Sequence, residues 1–184
     1  MLTMLASDPV VTLLARGAFA LLFASAAWHK LRDRPAFAGV LAGYRVLPAA
    51  TVAAAALGVA ALEIGVALAW LVPPLGVVAV AGTVALLTLY STAIGVNLAR
   101  GRHAIDCGCG IGGARQAISE WLIVRNVLLA GAALATLAPV TGRTLAWVDA
   151  VTLVGALVVA MSLWTAAHAL AAASQRVKAA GAPR

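Results

Sequence analysis

Five apolar runs, at residues 10–28, 51–72, 75–98, 121–138 and 146–172, set the terms on which this chain can fold. A helix needs roughly 20 apolar residues to cross a hydrocarbon core of about 30 Å, and only helices or closed barrels satisfy their own backbone there. Alanine, glycine and leucine dominate the runs, which predicts helices that approach closely through small side chains. Charged residues make up only 10% of the chain, against about 25% in a soluble domain, so water is not the main solvent. The expected architecture is all-α: a polytopic membrane helical bundle of four core transmembrane helices plus a fifth. It forms a single integral membrane domain over residues 1–173, followed by a basic tail at 174–184. Pro73-Pro74 leaves almost no loop between the second and third spans, and Pro139 ends the fourth.

The formal net charge of +7 is spread unevenly over the connections. The first carries Lys30, Arg32, Arg34 and Arg45, the third Arg100, Arg102 and Arg115, and the tail Arg176, Lys178 and Arg184. The second has no basic residue and the fourth only Arg143. With five spans the basic connections fall on one side, which the positive-inside rule assigns to the cytoplasm. That predicts an N-terminus outside, a C-terminus inside and a multi-pass protein of a bacterial inner membrane. Nucleic acid is not an expected partner, because no stacking aromatics interleave the basic residues. A cleaved signal peptide built on Arg16, Gly17–Phe23 and Ala24-Ser25-Ala26 is a competing parse, disfavoured by its short apolar core.

The only two cysteines stand together in Arg100-Gly101-Arg102-His103-Ala104-Ile105-Asp106-Cys107-Gly108-Cys109, in the third connection. A disulfide across Cys107-Gly108-Cys109 closes a smaller ring than Cys-x-x-Cys, and strained exposed disulfides are the exchangeable ones. Arg100, Arg102 and His103 favour the thiolate, whereas Asp106 opposes it. A redox couple is the leading reading. Zinc held with His103 and Asp106 is the second, although the spacing matches no common zinc motif. Two reduced thiols in a flexible loop is the third.

Among intramembrane residues, Glu63 is the sharpest. A charge at that depth costs roughly 2.5–3.5 kcal/mol on insertion scales, so it needs neutralising, pairing or a polar cavity. It can relay protons or bind a polar ligand, or it can be the structural partner of a basic residue such as Arg125. Arg125, beside Asn126, is expected to snorkel to the interface, as is Arg16. Asn97 is expected to hydrogen-bond between helices, with Asp149 and His168 interfacial and the five tryptophans as headgroup anchors. Phe37, Val40, Leu41 and Tyr44 recur at helical spacing, predicting a short amphipathic interfacial helix after the first span. It is either a cover for the cysteine loop or a plain interfacial helix.

The ordered set Lys30-Leu31, Asp33, Phe37, Tyr44-Arg45, Leu47-Pro48, Glu63, Gly65, Asn97, Arg100-Gly101, Cys107-Gly108-Cys109-Gly110, Ile118 and Arg125-Asn126 resembles the methylamine-utilisation MauE family, among the DoxX-like small membrane proteins. It departs from the family's Cys-Gly-Cys-Phe-Gly at Gly110-Ile111-Gly112-Gly113. The resemblance implies a membrane factor for processing, export or maturation of the disulfide-rich methylamine dehydrogenase small subunit. It also implies a thioredoxin-like partner and, by analogy with disulfide-generating membrane proteins, a membrane quinone as cofactor. Cys107 and Cys109 would then be the redox pair, with Glu63, Arg100, His103, Arg125 and Asn126 in support. Such a target folds outside the cytoplasm, while loop charge puts the cysteines inside. Either the orientation is reversed or the pair passes electrons through the bundle. Rival classes are a non-catalytic scaffold for assembly or export, and a small-solute carrier with Glu63 as its polar site. The carrier is disfavoured because no inverted repeat is evident.

Overall fold

A computed structural model describes residues 7–102, 105–106 and 117–180, with residues 168, 171–172 and 174–180 described by backbone only. His103, Cys107 and Cys109 lie outside the described residues, as does the side chain of His168. The described residues form an all-α bundle: α1 Pro9–Arg32, α2 Arg34–Gly43, α3 Val52–Leu71, α4 Gly76–Ala99, α5 Glu120–Ala135 and α6 Trp147–Ala180. Four stretches are long and apolar enough to cross a membrane, at Pro9–Arg32, Ala49–Leu71, Pro73–Ala99 and Trp147–Ala167. The chain is a multi-pass membrane protein, and α2 is the surface helix expected after the first span.

Local chemistry sets the boundaries. The Asp8 carboxylate accepts from Val10 N at 2.8 Å, and Pro9 follows at the first helical position, where its missing N–H is no loss. Asp33 ends α1 and begins α2 at once: its backbone leaves helical geometry (φ −131°, ψ 71°) and its carboxylate accepts from Ala36 N at 3.0 Å. The Pro73–Leu75 turn joins α3 to α4 directly. Trp70 of α3 donates its indole N–H to Thr83 Oγ1 of α4 at 2.9 Å, and its ring stacks on Phe19 of α1 at 4.9 Å. That closes the core between three helices. A Cβ at Gly82 would lie 2.6 Å from Val66 Cγ2, so the close approach of α3 and α4 requires glycine there.

Three expected boundaries differ. The first span was expected to end at 28, but α1 runs to Arg32, because Lys30 continues a buried stripe with Phe23 and Ala27. The fourth was expected over 121–138, but α5 stops at Ala135 after 16 residues, about 24 Å of helix. The last helix continues past 172 to Ala180.

Candidate functional site: a buried polar belt

On α3 the buried stripe reads Ala56, Ala60, Glu63, Ala67, Trp70, at alternating spacings of four and three. The small residues let α1 lie close, and Glu63 occupies a core position facing it. Lys30 reaches inward from the last turn of α1 and donates to Glu63 Oε1 at 2.6 Å. Tyr90 of α4 donates its hydroxyl to the same oxygen, also at 2.6 Å. Glu63 is 1% exposed and Lys30 7%, so the ion pair is buried, with Tyr90 half-buried beside it. The ammonium also lies over the rings of Phe37, at 5.2 Å, and Tyr90, at 5.6 Å. Glu63 Oε2 is buried and accepts no hydrogen bond among the described residues.

The belt continues through the next residue of α4. Ser91 Oγ and Asn126 Nδ2 of α5 are 3.2 Å apart, and Asn126 Oδ1 accepts from Arg125 at 3.3 Å. The Arg125 guanidinium faces the Trp164 ring of α6 at 5.6 Å. Polar groups thus tie α1, α3 and α4 together at Glu63, and α4 to α5 at Ser91 and Asn126, through consecutive residues of α4. The belt fixes these helices against one another and provides a buried carboxylate and several donors.

Nearer the loop, Arg102 bridges two helix ends. Its guanidinium donates to Gly43 O at 2.9 Å, to Tyr44 O at 3.4 Å and to Asn97 Oδ1 at 3.0 Å. A cation on the last carbonyls of α2 suits the negative end of that helix. Ile118 N donates to Ile105 O at 2.9 Å and Asp106 pairs with Ala117, so the two flanks of the cysteine segment are tied together. Ile105 and Ile118 pack with Tyr44, Ile94 and Leu122. Burial, aided by the nearby Asp106 carboxylate, pushes the Tyr44 hydroxyl up to about 12. The end of α2 therefore rests against the base of the cysteine segment.

Several sequence expectations are corrected here. The partner of Glu63 is Lys30, not Arg125, because the bundle sets α1 beside α3 and a lysine stem spans the gap. Asn97 does not bridge helices: it donates to Ala93 O of its own helix at 3.0 Å and receives Arg102. Trp70 is a core residue and no headgroup anchor, whereas Trp28, Trp121 and Trp147 are exposed near helix ends. Arg100 is exposed at the end of α4. Sequence reasoning missed Tyr90, counted Lys30 among the loop charges and gave Arg102 only a role toward the thiols. For the first two a signal was present, since Lys30 continues the stripe Phe23, Ala27 and Tyr90 the stripe Thr83, Leu86.

Fold and site define a multi-pass helical membrane protein built around a charged triad, with a dithiol motif on an adjoining connection. Residues 8–139 match the family of the methylamine utilisation protein MauE, and the chain belongs to that family. It is 41% identical over 128 residues to the methylamine utilization protein MauE of Paracoccus denitrificans, covering 70% of this chain and 69% of that one. It is also 41% identical over 142 residues to that of Methylorubrum extorquens, covering 76% of each. No solved structure matches the chain. Every residue of the belt on α1, α3, α4 and α5 falls inside the matched region, while α6 lies beyond it.

Proposed function

We propose that this chain is a thiol–disulfide factor of methylamine utilisation, acting from the membrane on a disulfide-rich exported partner such as the methylamine dehydrogenase small subunit. The observation that carries the proposal is the concentration of both cysteines in Cys107-Gly108-Cys109, inside the family region and between flanks tied at Asp106 and Ala117. The Cys107–Cys109 disulfide accepts attack by a partner thiolate, giving a mixed disulfide and one free thiolate on the chain. The partner's second thiolate then releases the oxidised partner and leaves the Cys107/Cys109 dithiol. Two electrons and two protons from that dithiol convert a membrane quinone to quinol and restore the disulfide. A thioredoxin-like protein is the proposed intermediary between this pair and the target. The family name supports the pathway, and the hold of Arg102 on the end of α2 and the pairing of Asp106 with Ala117 support an organised connection on either side of the cysteine motif in sequence.

The test replaces Cys107 and Cys109 by serine, singly and together, in cells that make the exported partner. Disulfide content of the partner is read on non-reducing gels after acid quench and alkylation. Loss of partner oxidation in each variant is the expected outcome, and full oxidation in the double variant would overturn the proposal. Direct exchange with an exported partner requires the pair to face outside, the reverse of the side that loop charge assigns. A membrane-impermeant alkylating reagent, applied to intact spheroplasts and to inverted vesicles, reads that side directly.

A further inference from the structure

We propose that the groove between α1, α2 and α3 seats the head of an anionic phospholipid, with Lys30 and Arg34 as the cations that hold its phosphodiester. The inference goes beyond the reading above and does not rest on it. The groove has a volume of about 240 Å³ and is lined by Lys30 and Arg34 at the α1–α2 junction, by Phe37 of α2, and by Ala56, Leu57 and Ala60 of α3, among others. That is below the roughly 300–1,000 Å³ of pockets for drug-sized ligands, so it holds a head and the start of a chain and leaves the rest of the lipid in the bilayer. Ala56 and Ala60 are buried in its floor, while Ala53 and Leu57 are exposed at its α3 edge. From that edge Ala61, Ile64 and Leu68 continue an exposed apolar line along α3 at helical spacing, a track for an acyl chain.

Charge selects the occupant. Every charged residue of the lining is a cation, and the remainder is apolar. Glu63 is no part of the groove wall, but it answers the Lys30 ammonium through Oε1. Lys30, Arg34 and Glu63 together carry one net positive charge, and a single phosphodiester brings the group to zero. Lys30 has three N–H donors and gives one to Glu63; the ammonium otherwise faces the Phe37 and Tyr90 rings. Arg34 is exposed and makes no ion pair among the described residues. A phosphodiester offers two unesterified oxygens, which suit the planar fork of an arginine beside a lysine. Basic pockets between membrane helices are where anionic lipid heads bind, and the surface helix α2 sets this one at headgroup level. A zwitterionic head would bring its own cation to Arg32-Asp33-Arg34, where basic residues outnumber the acid and the Asp33 carboxylate is engaged by Ala36 N.

The experiment uses the full chain in dodecyl maltoside and native mass spectrometry, with dioleoylphosphatidylglycerol as probe and dioleoylphosphatidylcholine as its zwitterionic match. Wild type is expected to bind phosphatidylglycerol about tenfold more tightly than phosphatidylcholine. Arg34→Gln is expected to erase that preference, and Leu57→Trp, which fills the α3 edge, to weaken the binding of both lipids. Arg45→Gln removes an exposed cation outside the groove lining and is expected to bind as wild type does. Equal binding of the two lipids by wild type, a preference that survives Arg34→Gln, or undiminished binding in Leu57→Trp overturns the inference. So does an equal loss in Arg45→Gln, which would reduce the effect to a general attraction between lipid and basic surface. Displacement of the lipid by excess inorganic phosphate also overturns it, since the groove would then take a free anion. Lys30 is left in place because its loss strands Glu63. Both groove variants change exposed side chains, and should Leu57→Trp fail to fold, Arg34→Gln alone decides.

Discussion

An ammonium and a carboxylate 2.6 Å apart inside a bilayer cancel as charges, yet each has surrendered its hydration to get there. The balance is such that replacing both partners by apolar residues is often neutral or stabilising, whereas removing one strands the other and costs about 3–5 kcal/mol. Lys30→Met is therefore expected to lower stability by about that amount, and Lys30→Met/Glu63→Met to recover most of it. Unfolding in detergent micelles followed by circular dichroism measures both. A single variant no less stable than the double one would show that Glu63 is not held as an anion by Lys30. At this scale the need for a partner to Glu63 was legible in the sequence, since an acid in mid-span demands one. Which cation answers it was not. Lys30 and Arg125 are comparable as charges, and only the adjacency of α1 and α3 chooses between them.

Helix contacts in this bundle turn on small residues at fixed points. Gly82 faces Val66 with no room for a further carbon, at a separation where something must move. Gly82→Ala is expected to push α4 off α3 and destabilise by about 1–3 kcal/mol, the usual range for overpacking. Adding Val66→Ala should restore stability by making the space elsewhere, and the same micelle unfolding assay checks it. Failure of that rescue would place the strain in the helix and not in the contact. The number and order of helices were legible because apolar runs and prolines mark them plainly. Their ends were not. Lys30 looked like a loop charge because charge alone carries no information on which way a long side chain bends, and α5 frays into a turn before Pro139.

Taken whole, the molecule is clamped at the end opposite the cysteine segment by Arg143, which bonds Asp8 at 2.8 Å and Asp149 at 2.8 Å. A short backbone pairing of Ser7 with Val140 lies beside it, so the start of α1 and the start of α6 share one anchor. The hydrogen bond from Arg143, with that from Val10 N–H, holds the Asp8 carboxyl below its ordinary 3.8. A depressed folded-state value means the carboxylate stabilises the fold above the ordinary value and stops doing so as pH falls through the lower one. Asp8→Asn keeps a good helix cap and removes only the charge. It is expected to melt slightly below wild type at neutral pH, with the gap closing below pH 3.8 and in high salt, because the pair is exposed. A gap that persists in acid would assign it to the cap.

The pairing of Lys30 with Glu63 also orders events during synthesis. Lys30 is made 33 residues before its partner, so α1 reaches the bilayer with an unanswered ammonium in its last turn. The four-carbon stem can carry that charge outward to the headgroups until α3 arrives beside it. Only then does the ammonium have reason to turn inward, with Tyr90 completing the set when α4 follows. The belt is thus assembled one helix at a time, and the nascent first helix waits at the membrane surface for the acid that will draw its lysine inside.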